Sequence, residues 1–311
     1  MSTQPLKTLL DIEYSKVAAR EIIEVISPLL RELVNYATNA FGRCETLAKG
    51  RENEDLAPLL LYLHKIEMVD GIEQLIQNSS IAPAEILLRS AFEGLLSLQY
   101  ILEDSHYFRR RSLSWLVFYI HKRMKVNKSY LPDSNDEMII RESLGETKNL
   151  INLASFKDPQ QTIDELEELL SKHYLAAINE EFLKQKPFKW YRLFNGPANL
   201  RDLAKYIDSF DKPPMSESMY ILIYKRGSAI THADDLSRFL DRTNTNDPAI
   251  RRLRPPDISQ IQQIGLFAST FLINSTRQML EKYAPSENIS QWYMRNIKER
   301  YDILNSWMDN N

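Results

Sequence analysis

The chain has 311 residues, a mass of 36.4 kDa, 43% hydrophobic and 26% charged residues, a formal net charge of −3 and a pI near 6.0. This composition is close to the globular average and excludes wholesale disorder, while the charge supplies no global attraction for nucleic acid, so that any such binding must use a local patch. Eight glycines leave too few left-handed backbone positions for the hairpins of an all-β protein, and the single cysteine, Cys44, excludes an intrachain disulfide and a cysteine-based zinc site.

The N-terminal stretch MSTQPLKTLLDIEYSK lacks the apolar core of a signal peptide, and no segment approaches the roughly 18 apolar residues of a membrane span, which points to a cytoplasmic protein without a membrane partner. From 6 to 48 apolar residues recur at steps of three and four, among them Ile22, Ile26, Leu29, Leu30 and Leu33. The pattern predicts one long amphipathic helix, or two broken at Pro28. A second helix is predicted over 53–77. A third, over 83–103, is the most apolar stretch of the chain and therefore a central one. A fourth, over 107–127, opens on the basic run Arg109-Arg110-Arg111. From 132 to 186 the composition turns polar and acidic, as expected of a peripheral helical insertion whose clearest helix is TIDELEELLSKHY. An aromatic loop, FKWYRLFN, and a short helix follow; long helices are then predicted over 216–240 and 257–283, separated by the basic loop RRLRPP, with a short terminal helix after Pro285. The expected fold is all-α: a multi-helix bundle forming a single unit over 1–311.

Two groups of residues carry potential chemistry. Arg89 and Glu93 stand four apart within the apolar third helix, where charges must engage each other or a group from another helix. Tyr224, Ser228 and His232 recur at steps of four, so two hydroxyls and an imidazole share one stripe of the helix over 216–240. If that stripe faces Arg89 and Glu93, the fold holds a polar cluster with a base, a cation and hydrogen-bond donors, which is either catalytic or a satisfied structural network. His64, His106, His121 and His173 lack the spacing of a metal site, and no glycine-rich phosphate loop or nucleophile elbow is present, so no cofactor is expected. Arg109-Arg110-Arg111 and Arg251-Arg252-Leu253-Arg254 read as solvated basic runs or as phosphate contacts.

Arg226 followed six residues later by His232 resembles the Arg-x(4–6)-His motif of the higher-eukaryote and prokaryote nucleotide-binding (HEPN) superfamily, many of whose members are metal-independent ribonucleases with a composite site at a dimer interface. Gly227 departs from that motif, which commonly has a polar residue there. On an ideal helix Arg226 and His232 point about 120° apart, so convergence needs bending or a dimer axis. A longer resemblance joins LLRSAFEGLLSLQYILED, KWYRL with NLRDLAKYI, and YKRGSAITHADDL in that order. These segments look like a bacterial family of unknown function, number 5677, with an Arg-x-x-x-Glu helix, a Trp-bearing loop and a Tyr-x-x-x-Ser-x-x-x-His helix. The matching positions are Arg89 and Glu93, Trp190 and Ala204, and Tyr224, Ser228 and His232, within a family-like core over 81–240. The resemblance implies an all-helical fold related to HEPN and abortive-infection proteins.

Two functions are therefore expected as alternatives. In one, the chain is a HEPN-like metal-independent ribonuclease or toxin-type effector of stress or antiviral defence: His232 acts as general acid or base, Arg226 or Arg89 faces the phosphorane, and Ser228 and Tyr224 orient RNA. It would act as a homodimer. In the other, it is a non-catalytic helical module that binds a partner protein or a small ligand.

Overall fold

A computed structural model of the protein describes residues 16–48, 53–132, 134–144, 158–210, 213–232, 240–241, 249–250 and 258–309. The protein is all-α, with helices packed on helices. Strand pairing among the described residues is confined to a two-residue antiparallel match of β1 (Leu240–Asp241) with β2 (Ala249–Ile250), in which Leu240 stands opposite Ile250. Where a single unit is expected from the sequence, the chain divides into two compact ones: Met1–Arg51, Pro58–Glu103 and Leu200–Asn311 form the first, Glu52–Ala57 and Asp104–Asn199 the second.

In the first unit, α1 (Arg20–Ala48) runs as one helix through Pro28 and buries Ile22, Ile26, Leu29, Leu30, Leu33, Ala37 and Cys44, the three- and four-residue stripe of an amphipathic helix. Each large apolar side chain so buried contributes about 1.5–3 kcal/mol. The stripe packs on α11 (Ile258–Tyr283), which also lies against α3 (Ile81–Leu102). Gly265 allows the α1–α11 approach, since a Cβ there would lie 2.8 Å from the Ile26 side chain. Phe92 of α3 and Phe271 of α11 meet with ring centroids 5.7 Å apart. From α2 (Leu56–Gln77), the buried Tyr62 hydroxyl donates to Thr276 Oγ1 over 2.8 Å. On the same helix the buried Glu73 carboxylate accepts from Ser27 Oγ at 2.6 Å and from Arg31 at 2.8 Å, which ties α2 to α1.

The second unit is built on α4 (Phe108–Lys128), followed by α5 (Asn135–Leu144), α6 (Pro159–Leu170) and α7 (His173–Gln185). Leu113, Leu116, Val117, Ile120 and Met124 on the inner side of α4 form a core with Ile163, Leu170, Leu175 and Ile178. Within the segment over 132–186, expected as a peripheral insertion, α6 and α7 bury their apolar stripes on α4; residues 145–157 lie outside the described ones. TIDELEELLSKHY, expected as one helix, breaks at Ser171, whose hydroxyl donates to the Glu168 carbonyl at 2.6 Å before α7 begins at His173. Asp158 caps α6 by accepting from the Gln160 N–H at 3.0 Å, with Pro159 in the first turn.

Candidate functional site

After a 3₁₀ segment (Trp190–Asn195) that buries Trp190, α8 (Leu200–Asp208) brings the buried Ala204 into the first unit and ends on Asp208. The Asp208 carboxylate accepts from the N–H groups of Ser216 (2.7 Å) and Glu217 (2.9 Å), and so caps the start of the next helix. The periodicity predicts one long helix over 216–240. Its described part runs without interruption from Ser216 to Thr231, as α9 (Ser216–Met219), a π turn (Tyr220–Tyr224) in which the Lys225 N–H reaches the Tyr220 carbonyl, and α10 (Lys225–Thr231), with His232 as its C-cap; 233–239 lie outside the described residues, and Leu240 belongs to β1. Single π turns within helices are rare and cluster at functional sites.

α10 and the π turn pack against α3, which presents Glu85, Arg89 and Glu93 at successive steps of four. Arg89 Nε lies 3.2 Å from Glu93 Oε1, with 18% and 33% of the two side chains exposed. The Arg89 guanidinium also sits 4.3 Å above the centre of the Tyr224 ring, which is itself stacked on Tyr220 at 5.0 Å. Arg226 Nε pairs with Glu85 Oε1 at 3.0 Å; the arginine is 44% exposed and the carboxylate 10%. The pair lines a cavity of about 30 Å³ with Leu222, Gln260 and Phe267. That is room for water rather than for a substrate.

Gly227 makes the approach possible. A Cβ at this position would lie 2.9 Å from Arg89 Cβ and 3.2 Å from the Glu85 carbonyl oxygen. The glycine that departs from the Arg-x(4–6)-His pattern is therefore the point where α10 touches α3.

The predicted cluster is brought together in part. Arg89, Glu93 and Tyr224 converge. Ser228 is half-buried on α10, and His232 is exposed at its end, held through its backbone N–H to the Ser228 carbonyl at 3.0 Å. Among the described residues the His232 imidazole has no partner. The arginine run over 251–254 lies outside the described residues.

His64 lacks metal-ligand spacing in the sequence, yet its Nε2 lies 3.0 Å from Ser90 Oγ on α3. Burial lowers the pKa of this imidazole, against an opposing pull from the charges of Glu67 and Glu93. Its neighbour Lys65 is wholly buried, its ammonium nitrogen bonded to Ser275 Oγ, and burial holds its pKa well below the lysine range. No spacing rule finds either residue, because both meet their partners across helices. No group of three or more His, Cys, Asp or Glu side chains among the described residues could hold a metal ion.

The fold and this seam define an all-helical protein with a charged and aromatic contact between a π-interrupted helix and a central one. No described helix is long and apolar enough to cross a membrane. The profile of the Family of unknown function (DUF5677) matches residues 55–248, more than half of the chain, and the chain belongs to that family. The match begins before the expected core at Ile81 and runs past Leu240. No curated protein and no solved structure matches the chain.

Proposed function

We propose that the protein is a HEPN-like metal-independent endoribonuclease, acting in the cytoplasm as a toxin-type effector of stress or antiviral defence. The observation that carries this reading is the exposed imidazole of His232, without a partner among the described residues and six residues along the helix from the half-exposed Arg226. A buried histidine in a sealed network would argue for structure alone. In the proposed step the ribose 2′-hydroxyl attacks the adjacent phosphorus and the bond to the 5′-oxygen breaks, leaving a 2′,3′-cyclic phosphate. His232 takes the proton from the 2′-oxygen or delivers one to the departing 5′-oxygen.

One imidazole cannot do both at once, and Arg226 is drawn toward Glu85. A second copy of the chain would supply the complementary histidine and arginine. The exposed Ile221 and Leu222 offer an apolar seam for such a dimer on the same segment. Arg226 or Arg89 would face the phosphorane on release from its carboxylate, with Tyr224 and Ser228 orienting the strand. The test is cleavage of labelled RNA in a chelator, comparing the wild type with His232→Ala.

One observation favours the alternative of a non-catalytic module for a small ligand or partner protein. A cavity of about 320 Å³ in the first unit is lined by Glu32, Asn39, Arg43, Glu287 and the stacked rings of Tyr36 and Trp292. That volume lies at the lower end of ligand pockets. Loss of ligand-induced stabilisation in Trp292→Ala, with no RNA cleavage by the wild type, would select this reading.

A further inference from the structure

The second unit carries a surface that the proposed reaction does not use. Helix α4 holds seven lysines and arginines and no acidic residue, in a chain whose net charge is −3. Its inner side forms the core of the unit, and its outer side is not an ordinary solvated face. Trp115 and Tyr119 stack with ring centroids 5.4 Å apart and planes within 3° of parallel. One turn further on stand the exposed cations of Lys122 and Arg123, neither with a side-chain partner among the described residues. Val126 and Tyr130, 47% and 53% exposed, continue the row. The steps from 115 through 119, 122, 123 and 126 to 130 keep these side chains on one stripe, about 16 Å long from Trp115 to Val126 at 1.5 Å per residue.

We infer that this stripe of α4 binds single-stranded RNA, with unpaired bases stacking on Trp115 and Tyr119 and the phosphates running past Lys122 and Arg123. The inference rests on the proposed reaction only in naming RNA as the strand. Ring faces interleaved with free cations are the combination that single strands require, since each unpaired base offers a flat face and each linkage a negative charge. A duplex hides its base faces and would gain only the charges. A protein partner fits less well, because lysine is depleted from the centres of protein interfaces and α4 itself carries no carboxylate to pair with a partner's cations.

The test is fluorescence anisotropy of the full chain with a labelled, unstructured 2′-O-methyl oligoribonucleotide of about 12 nucleotides. Such a strand lacks the attacking hydroxyl, so binding is read independently of cleavage. Trp115→Ala and Tyr119→Ala should each weaken binding roughly 5- to 150-fold. Tyr119→Phe, which keeps the ring, should bind as the wild type does and guards against a folding defect. Lys122→Gln with Arg123→Gln should flatten the salt dependence by about 1.4 in the slope of log affinity against log salt. Absence of binding at low salt, equal binding of a duplex of the same length, or alanine variants that bind like the wild type would each overturn the inference. Binding without cleavage of ordinary RNA leaves it standing and removes the ribonuclease reading; cleavage with normal binding by the alanine variants does the reverse.

Discussion

Gly227 stands against Arg89 so closely that a Cβ on the glycine would fall 2.9 Å from that of the arginine. The contact fixes how α10 lies on α3 and holds the π turn with Tyr224 over the Arg89 guanidinium. Alanine is the better helix former by about 1 kcal/mol, which by itself would make Gly227→Ala stabilising. Here the close neighbours are the Cβ of Arg89 and the carbonyl of Glu85, neither of which swings aside without moving α3. Overpacking of this kind costs about 1–3 kcal/mol. The substitution should therefore lower stability in denaturant titration; an unchanged or raised midpoint would show that the two helices are not tightly apposed.

Arg89→Ala should cost about 1–2 kcal/mol. The full penalty for stranding a buried charge does not apply, because Glu93 is 33% exposed and water can take over part of the lost interaction. The loss combines a part-screened ion pair with the cation–π contact to Tyr224. In a double-mutant cycle, Arg89→Ala and Tyr224→Leu should couple by about 0.5–2 kcal/mol. Additive effects would mean that the ring contact adds no stability.

Lys65→Met should raise the melting temperature at neutral pH and flatten its dependence on alkali. The ammonium is charged in the unfolded chain below its ordinary value of 10.5, whereas burial against Ser275 favours the neutral amine in the folded protein. Folding then releases a proton, and the unfolded state binds more protons across the window between the lowered folded value and 10.5. Stability assigned to this group therefore rises with pH through that window and is reduced below it. Ser275 keeps its bond to the Phe271 carbonyl at 2.7 Å in the variant, so no hydroxyl is stranded. A wild-type melting temperature that does not rise relative to Lys65→Met between pH 7 and 10 would contradict this.

The legible part of this fold is what repeats along a single helix. The stripes of α1 and α3 predict amphipathic and central helices, and the four-residue step from Arg89 to Glu93 predicts their ion pair. Of the stripe of Tyr224, Ser228 and His232, Tyr224 is the member that meets that pair. What escapes depends on partners distant in sequence. The Glu85–Arg226 pair and the Ser90–His64 contact join different helices, and nothing in YILIY marks a π turn, because its apolar spacing suits an ordinary helix equally well. The division into two units is hidden for a related reason. Leu113, Leu116, Val117 and Ile120 look like any other core stripe, and only their partners Ile163, Leu175 and Ile178 show that they build a second core.

The central claim is that His232 performs proton transfer in a metal-independent RNA cleavage. It is tested most directly by following labelled single-stranded RNA in the presence of a chelator, with the wild type and His232→Ala prepared in parallel. Because His232 is exposed at the end of α10, the substitution should leave the melting temperature unchanged. General acid–base catalysis by one side chain contributes about 10² to 10⁴-fold, so the variant should lose cleavage by that factor while the wild type yields fragments ending in 2′,3′-cyclic phosphate. Wild-type cleavage that disappears with the chelator, or cleavage by His232→Ala at the wild-type rate, would contradict the account.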